Sequence, residues 1–336
     1  MGDTLCIGCS SAVSAPPFER ILDPDTGTEF GLFSCASCGL VFSPLPKDFP
    51  LDEWYSNSEF YAEHEYAEHH GPVESDWRFL MFLSAAGRHR LKGRLLDIGC
   101  GEGGFLSMLK ARNWNGSLEG VDLHAERAGR RPDGIRIEVA RFEEFARRRR
   151  EEPYDVVTIF DTIEHFPEVS ATFTELARLI AYDGHLAVGV PNSERLRVTG
   201  EWGEFDYPPN HVTRWNLKTL RGFLERHGFE IVEWSVAFPW PRRFVEPVFN
   251  KFWGAAVGLV QPLLSRPSKF GGGAGAKVVW SGPLAAPVRR KRIQLAFLRL
   301  LSFALFPALI PVSLVMRLLR PRSGSHLFVL ARRKPG

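Results

Sequence analysis

The chain has 336 residues, of which 44% are hydrophobic and 24% charged; that is enough for one large domain with ample core plus a small one. The net charge of +3 hides an asymmetry: residues 1–77 hold 14 acids against 2 bases, and residues 247–336 hold 15 bases and no acid. Front and tail therefore face different partners, and an acid-rich front is unsuited to a phosphate backbone.

In residues 1–45 two Cys-x-x-Cys pairs, Cys6/Cys9 and Cys35/Cys38, stand 25 residues apart. Each pair can sit in a tight knuckle and supply two thiolates, and four thiolates make a closed, structural zinc site. The segment between them carries Asp23-Pro24-Asp25-Thr26-Gly27, which is hairpin-turn chemistry. A reduced dithiol pair is the alternative. The N-terminus has no basic-then-apolar leader pattern, so the chain reads as cytoplasmic and its cysteines as metal ligands rather than disulfides. Residues 46–92 hold an aromatic run (Trp54, Tyr55, Phe60, Tyr61, Tyr66) and then an amphipathic helix over 75–91.

The stretch Leu95-Leu96-Asp97-Ile98-Gly99-Cys100-Gly101-Glu102-Gly103-Gly104-Phe105 reads as strand, glycine turn and helix start. Glycines there allow positive φ and close approach of a ligand to the backbone. The Gly99-x-Gly101-x-x-Gly104 spacing also fits a dinucleotide turn. Asp97 separates the two readings, because a carboxylate two residues before the first glycine repels a pyrophosphate and suits a cation. A second strand ends in Asp122, where a carboxylate reaches ribose hydroxyls. A third strand, 135–140, precedes Arg141-Phe142. The fourth, Pro153–Phe160, is almost continuously apolar, as a buried parallel strand should be. It delivers Asp161, Glu164 and His165 to the same sheet edge as the glycine turn. A helix over 168–181 should end at Tyr182-Asp183-Gly184, with a fifth strand over His185–Val190. The loop 193–213, with Trp202, Tyr207 and His211, is long and aromatic, and loops of that kind are often functional. His211 is either a base or a structural histidine capping Asn216 or a carbonyl. A helix over 216–227 and a sixth strand over 229–237 follow.

Taken together, LLDIGCGEGGFL with Asp122 and the segment Asp161-Thr-Ile-Glu-His165 resembles the class I S-adenosylmethionine-dependent methyltransferases. S-adenosylmethionine carries a sulfonium, an ammonium and no phosphate, which suits Asp97. The ribbon Cys35-Ala-Ser-Cys38-Gly39 and the aromatic segment after it are similar to the N-terminus of a bacterial subgroup of that family. The post-strand segment looks most like the branch containing the quinone-biosynthesis O-methyltransferases, some of which place a divalent cation there. The resemblance implies an α/β fold, a Rossmann-like seven-stranded sheet with the last strand antiparallel. It assigns Asp97, Gly99, Cys100, Gly101, Asp122, Phe142 and Asp161 to the cofactor. It makes Tyr61 and His64 candidates for a lid, and leaves a contact unfilled at Arg141, where the family often has an acid. His165 or Glu164 as base, Asp161/Glu164/His165 as cation ligands, or all three as pocket walls remain open, with His211 as a second base candidate.

The last strand matches 325–333, so the domains read as a zinc ribbon (1–45), an aromatic lid and lead-in helix (46–92), a methyltransferase domain (93–237 with 325–333) and an apolar, basic insertion (238–324). Leu300–Met316 is uncharged for 17 residues, at the lower end of the roughly 17–25 needed to cross a bilayer. Arginines flank it on both sides, and Pro307 and Pro311 interrupt it. The expectation is a surface-lying segment through 244–322 on an anionic membrane, placing the protein on the inner membrane face, with a buried apolar layer as the alternative. The expected reaction is methyl transfer to a small or lipid-linked acceptor, such as a quinone-like phenol or an envelope glycan precursor. Nucleic acid is an unlikely partner, and a ribbon-guided RNA methyltransferase or a non-catalytic scaffold are the competing readings.

Overall fold

The computed structural model describes residues 4–23, 26–57, 73–123, 134–149, 153–196, 202, 206–237, 277–278, 322 and 324–335. Tyr61, His64 and the apolar run 300–316 lie outside them. In chain order the strands are β1 (Thr4–Leu5), β2 (Ala12–Val13), β3 (Glu19–Leu22), β4 (Glu29–Ser34), β5 (Val41–Phe42), β6 (Leu95–Ile98) and β7 (Leu118–Asp122). There follow β8 (Arg136–Val139), β9 (Tyr154–Phe160), β10 (Ile180–Pro191), β11 (Thr213–Arg214), β12 (Phe229–Ala237), β13 (Lys277–Val278) and β14 (His326–Arg333).

Seven of these form one sheet in the order β12-β14-β10-β9-β6-β7-β8. β6, β7, β8, β9 and β10 run parallel, and β14 is antiparallel to both of its neighbours. This is the expected Rossmann-like sheet with a reversed last strand. β9 lies between β6 and β10, and its burial pattern is closed except at Asp155. Chain order reverses at β6, whose neighbours are β7 on one side and β9 on the other. Ligands of open α/β sheets bind at the carboxyl ends of the strands beside such a reversal.

The helix Trp77–His89 covers one face of the sheet, with Phe82, Ala85 and Ala86 buried. Phe82, Phe105 and Phe160 meet edge to face there, with ring centroids 5.3–6.3 Å apart, an arrangement that adds to the burial of their area. Asp76 caps this helix by accepting a hydrogen bond from the Arg78 backbone N–H at 2.9 Å. On the other face Phe173, Leu220 and Phe223 pack into a core that also takes in Leu40, Phe42 and the cysteines of the ribbon.

One expected boundary is corrected. The helix Val169–Leu179 ends two residues earlier than 181, and β10 begins at once at Ile180. Tyr182-Asp183-Gly184 is no helix cap. It is a break in strand register between Ile180 and His185, with Asp183 at φ +61°. A residue in the left-handed region serves a helix end and a strand irregularity equally.

The ribbon sheet runs β11-β5-β4-β3-β13. Its edge is completed by residues far along the chain: Thr213 pairs with Phe42 and Arg214 with Val41. The loop that carries His211 is therefore stitched to the ribbon. After it, Asn216 caps the helix Leu217–Arg226 in a reciprocal box with Thr219: the Thr219 N–H donates to Asn216 Oδ1 and the Thr219 hydroxyl accepts from the Asn216 N–H, each at 3.0 Å. Asn216→Ala is expected to lower stability by about 1 kcal/mol, read as a lower midpoint in urea unfolding with an unchanged slope.

Candidate active site

The glycine turn leaves the carboxyl end of β6 and enters the helix Gly104–Ala111. Gly99 has φ +73°, and a Cβ there would stand 2.2 Å from the Thr162 hydroxyl oxygen. Gly101, at φ +52°, faces open space, with nothing within 4 Å of where its Cβ would be. The first glycine lets the turn close against the segment after β9, and the second leaves its outer surface bare. The Gly101 N–H donates to Asp122 Oδ2 at 2.9 Å, so the second-strand acid sits directly against the turn.

Asp97 is 3% exposed and accepts a hydrogen bond from the Thr158 hydroxyl at 2.6 Å. Burial pushes its carboxyl up to about 7, against the pull of Thr158 and Arg78. A cation beside it would return it to the charged form. Cys100 turns its thiol inward, where a Cβ on Gly120 would lie 2.6 Å from the sulfur, so only its backbone faces the turn. Phe142 opens the helix Phe142–Arg148, with its ring buried and stacked on Phe166 at 6.3 Å. Arg141 pairs with Asp52 of the helix Leu51–Asn57.

Beyond β9, Asp161 is held at φ +45° and its Oδ2 meets Arg78 Nη1 at 3.1 Å. Arg78 is buried and also bound to Asp76. The expected cation set Asp161/Glu164/His165 is thereby revised, since Asp161 faces Arg78. Glu164, His165 and His211 come together instead, with one donor atom from each within 4.8 Å of the others.

Glu164 is 1% exposed, and neither carboxyl oxygen has a hydrogen-bond partner among the described residues. Burial, reinforced by the Asp161 charge, raises its carboxyl well above the ordinary range. His165 Nδ1 lies 2.6 Å from the Asn210 carbonyl oxygen. A carbonyl only accepts, which places the proton on Nδ1 and leaves a lone pair on Nε2. The Tyr55 hydroxyl donates to the same carbonyl at 3.4 Å. Burial, with the His211 charge second, pushes His165 down to about 3, so it is neutral at physiological pH. The His165 and His211 rings lie 4.9 Å apart, edge to face. His211 does not cap Asn216; its Nδ1 is 3.4 Å from Asp206 Oδ1. Burial opposes the Asp206 charge, but His211 and Arg195 hold its carboxyl well below the usual range.

Two metal arrangements fit these side chains. At the ribbon, Cys6 and Cys38 sulfurs stand 3.7 Å apart and those of Cys9 and Cys35 3.6 Å; all are free thiols. Tetrahedral zinc with bonds of about 2.3 Å spaces its sulfurs by about 3.8 Å. At Glu164/His165/His211, two unmet carboxylate oxygens and two imidazoles suit a divalent cation that keeps open positions.

The sequence reading missed Arg78, Asp206 and Asn210. Asp206 and His211, five residues apart in an irregular loop, carry no periodic signal. Asp76-x-Arg78 at a helix start reads as an ordinary cap until Asp161 comes to meet it.

This glycine turn, strand-end carboxylates and sheet define a methyltransferase of the S-adenosylmethionine-dependent class. A family model described as a methyltransferase domain matches residues 67–234, half of the chain, and the protein belongs to that family. The chain is 31% identical over 188 residues to the ubiquinone biosynthesis O-methyltransferase of Dechloromonas aromatica, covering 48% of this chain and 74% of that one. A protein of the same name from Ralstonia nicotianae is 31% identical over 140 residues, covering 40% and 53%. Among solved structures, a SAM-dependent methyltransferase from Archaeoglobus fulgidus is 16% identical, covering 81% of this chain and 99% of that one, with a TM-score of 0.47.

Asp97 ties stability to pH. Its folded value near 7 exceeds the unfolded value of about 3.9, so its contribution is fully present below about pH 4 and lost as pH rises to about 7. Asp97→Asn is expected to flatten that part of the stability profile and to raise the melting temperature of the ligand-free protein at pH 8. A profile that keeps its full slope in the variant would mean that other groups, Glu164 first among them, carry it.

The ribbon is joined to the site by two backbone hydrogen bonds, Ser43 N–H to the Val212 carbonyl at 2.9 Å and Val212 N–H to the Glu164 carbonyl at 2.8 Å. If the four thiolates hold zinc, stripping it with a reversible mercurial and a chelator is therefore expected to lower methyl transfer at least tenfold. Circular dichroism should show the main sheet retained and zinc readdition should restore activity.

Proposed function

We propose that the protein transfers a methyl group from S-adenosylmethionine to a hydroxyl of a small or lipid-linked, phenol-like acceptor. The Glu164–His165–His211 cluster carries this reading: three groups able to bind or deprotonate a hydroxyl sit one strand away from the glycine turn. The names of the curated relatives support oxygen as the accepting atom.

In this reading the donor lies across the ends of β6 and β7. The Gly99–Gly101 turn cradles it, Asp122 takes its ribose and Asp97 faces its cationic end. Asp161 and the N-terminus at Phe142 close the pocket, with Cys100 contributing backbone alone. S-adenosylmethionine supplies an electrophilic methyl on sulfur, so the protein's main work is alignment of the acceptor oxygen in line with the breaking bond. His211 is the base. Asp206 fixes its Nδ1 and stabilises the imidazolium as it forms, the logic of an acid–histidine couple. His165 is too weakly basic for that role at neutral pH and serves through its Nε2 lone pair, with Glu164, as a ligand or acceptor for the hydroxyl. A divalent cation held by Glu164, His165 and His211 would be the alternative to His211 as base, since it would occupy the His211 Nε2 lone pair and draw the acceptor oxygen in as a Lewis acid.

The insertion 238–324 favours a lipid-linked acceptor, because its basic, uncharged-run composition suits an anionic bilayer surface. Among the described residues no helix is long and apolar enough to cross a membrane.

Incubation of the protein with methyl-labelled S-adenosylmethionine and a cell extract, followed by separation into organic and aqueous phases, tests the reading. Alkali-stable label in the organic phase is expected, since a methyl ether survives conditions that hydrolyse methyl esters. Label confined to amines or to RNA would overturn it. His211→Ala is expected to lower kcat by about 10²-fold or more, with S-adenosylhomocysteine affinity unchanged.

A further inference from the structure

A small cleft beside Glu164 is also lined by Arg195, Trp202, Asp206 and Arg214. Arg214 is only 4% exposed. Its guanidinium lies 5.0 Å from the Trp202 ring and 6.0 Å from that of Tyr207. One nitrogen, Nη2, donates to the Asp206 backbone carbonyl. Nε and Nη1 are buried and meet no hydrogen-bond acceptor among the described residues.

Such an arrangement is expensive for a folded chain. An arginine cannot escape burial by losing its proton as a lysine does, and unmet N–H groups of a charged side chain are costly. The Asp206 charge offsets part of this burial, but its carboxylate is bound to Arg195 and faces His211, and it leaves Nε and Nη1 of Arg214 without an acceptor among the described residues. Glu19, on β3, acts on Arg214 only as a charge at longer range. A second guanidinium, that of Arg195, lines the same cleft and reaches the Ser325 carbonyl at 3.5 Å. Two guanidinium groups and an indole thus line the same small cleft as Glu164 and His211. The arginines suit an acceptor of hydrogen bonds with negative charge.

We infer that Arg214, assisted by Arg195, binds an oxyanion on the methyl acceptor, a carboxylate or a phosphate, and so selects anionic acceptors whose hydroxyl points at Glu164 and His211. The inference rests on the reading of this cleft as the acceptor side. It goes beyond that reading by assigning the acceptor a charge and a recognising residue. Trp202 stacks over the guanidinium and narrows the subsite, so Arg214 is a specificity-determining residue rather than a participant in methyl transfer.

Binding alone tests it, on the full chain saturated with S-adenosylhomocysteine. Isothermal titration would compare 3-hydroxyphenylacetate, 3-hydroxyphenyl phosphate and the neutral 3-hydroxyphenylethanol. At least one anion is expected to bind tenfold or more tightly than the neutral compound, and the tighter of the two identifies the oxyanion as carboxylate or phosphate. In Arg214→Met the preference should fall below threefold while the neutral compound binds as before. If that variant fails to fold by near-ultraviolet circular dichroism, Arg214→Lys gives the same comparison, and its shorter ammonium should cut the preference at least threefold. Anions that bind no better than the neutral probe, or a preference that survives in the folded variant, would overturn the inference. Failure of the O-methyl reading shows differently, as S-adenosylhomocysteine binding with no methyl passed to any hydroxyl, whatever the anion preference.

Discussion

A backbone hydrogen bond from the Val212 N–H to the Glu164 carbonyl at 2.8 Å joins the parts of the site where they meet. On one side of it stands the turn after β9, the central strand that delivers Glu164 and His165. On the other stands the loop that carries Asp206, His211 and Arg214. The Val212 carbonyl in turn accepts from Ser43, next to the ribbon strand β5. Three stretches remote in sequence are thus fixed to one another through main-chain atoms, which leaves their side chains available for chemistry. The ribbon is not an appendage in this arrangement. It supplies the edge against which the loop behind the cleft is laid down.

What the main chain fixes, buried charge then sharpens. Arg78 gathers Asp76 and Asp161, and Arg195 gathers Asp206. At Asp206 the Arg195 guanidinium, together with His211, holds the carboxyl well below the usual range against the pull of burial. Glu164 has no such partner among the described residues, and burial raises its carboxyl well above the ordinary range. Two acids in one neighbourhood, Asp206 shifted down and Glu164 shifted up, are separated by environment rather than by residue type. That separation is the usual mark of a site in which one group holds charge and another exchanges protons or binds a ligand.

The legible part of this structure was carried by residues whose role follows from local geometry. Asp97 and Asp122 end strands that point to one edge, and the cysteines come in pairs whose spacing fits a knuckle. The sheet followed from runs of apolar residues such as β9, and the antiparallel last strand from the resemblance. Asp206 and Arg214 were not legible, because they sit in an irregular loop where neither a period of two nor one of 3.6 marks an inward-facing position. Arg78 gave no signal either, because its partner Asp161 lies 83 residues away in the chain. Tyr182-Asp183-Gly184 misled for another reason: the backbone that ends a helix is the backbone that breaks a strand, and only the neighbouring β9 decides between them.

Ala237 and His326 are opposed residues in the antiparallel pair of β12 and β14. The described chain leaves this sheet after Ala237 and rejoins it at His326, and among the described residues between them Lys277–Val278 pair with β3 of the ribbon. Closing such a connection costs an entropy that grows only with the logarithm of its length, about 0.6 kcal/mol for each doubling. The sheet therefore senses the two ends of the excursion and hardly its extent. On that entropic ground alone a change in the length of the connection costs the sheet little, which makes this corner a natural place for related enzymes to diverge.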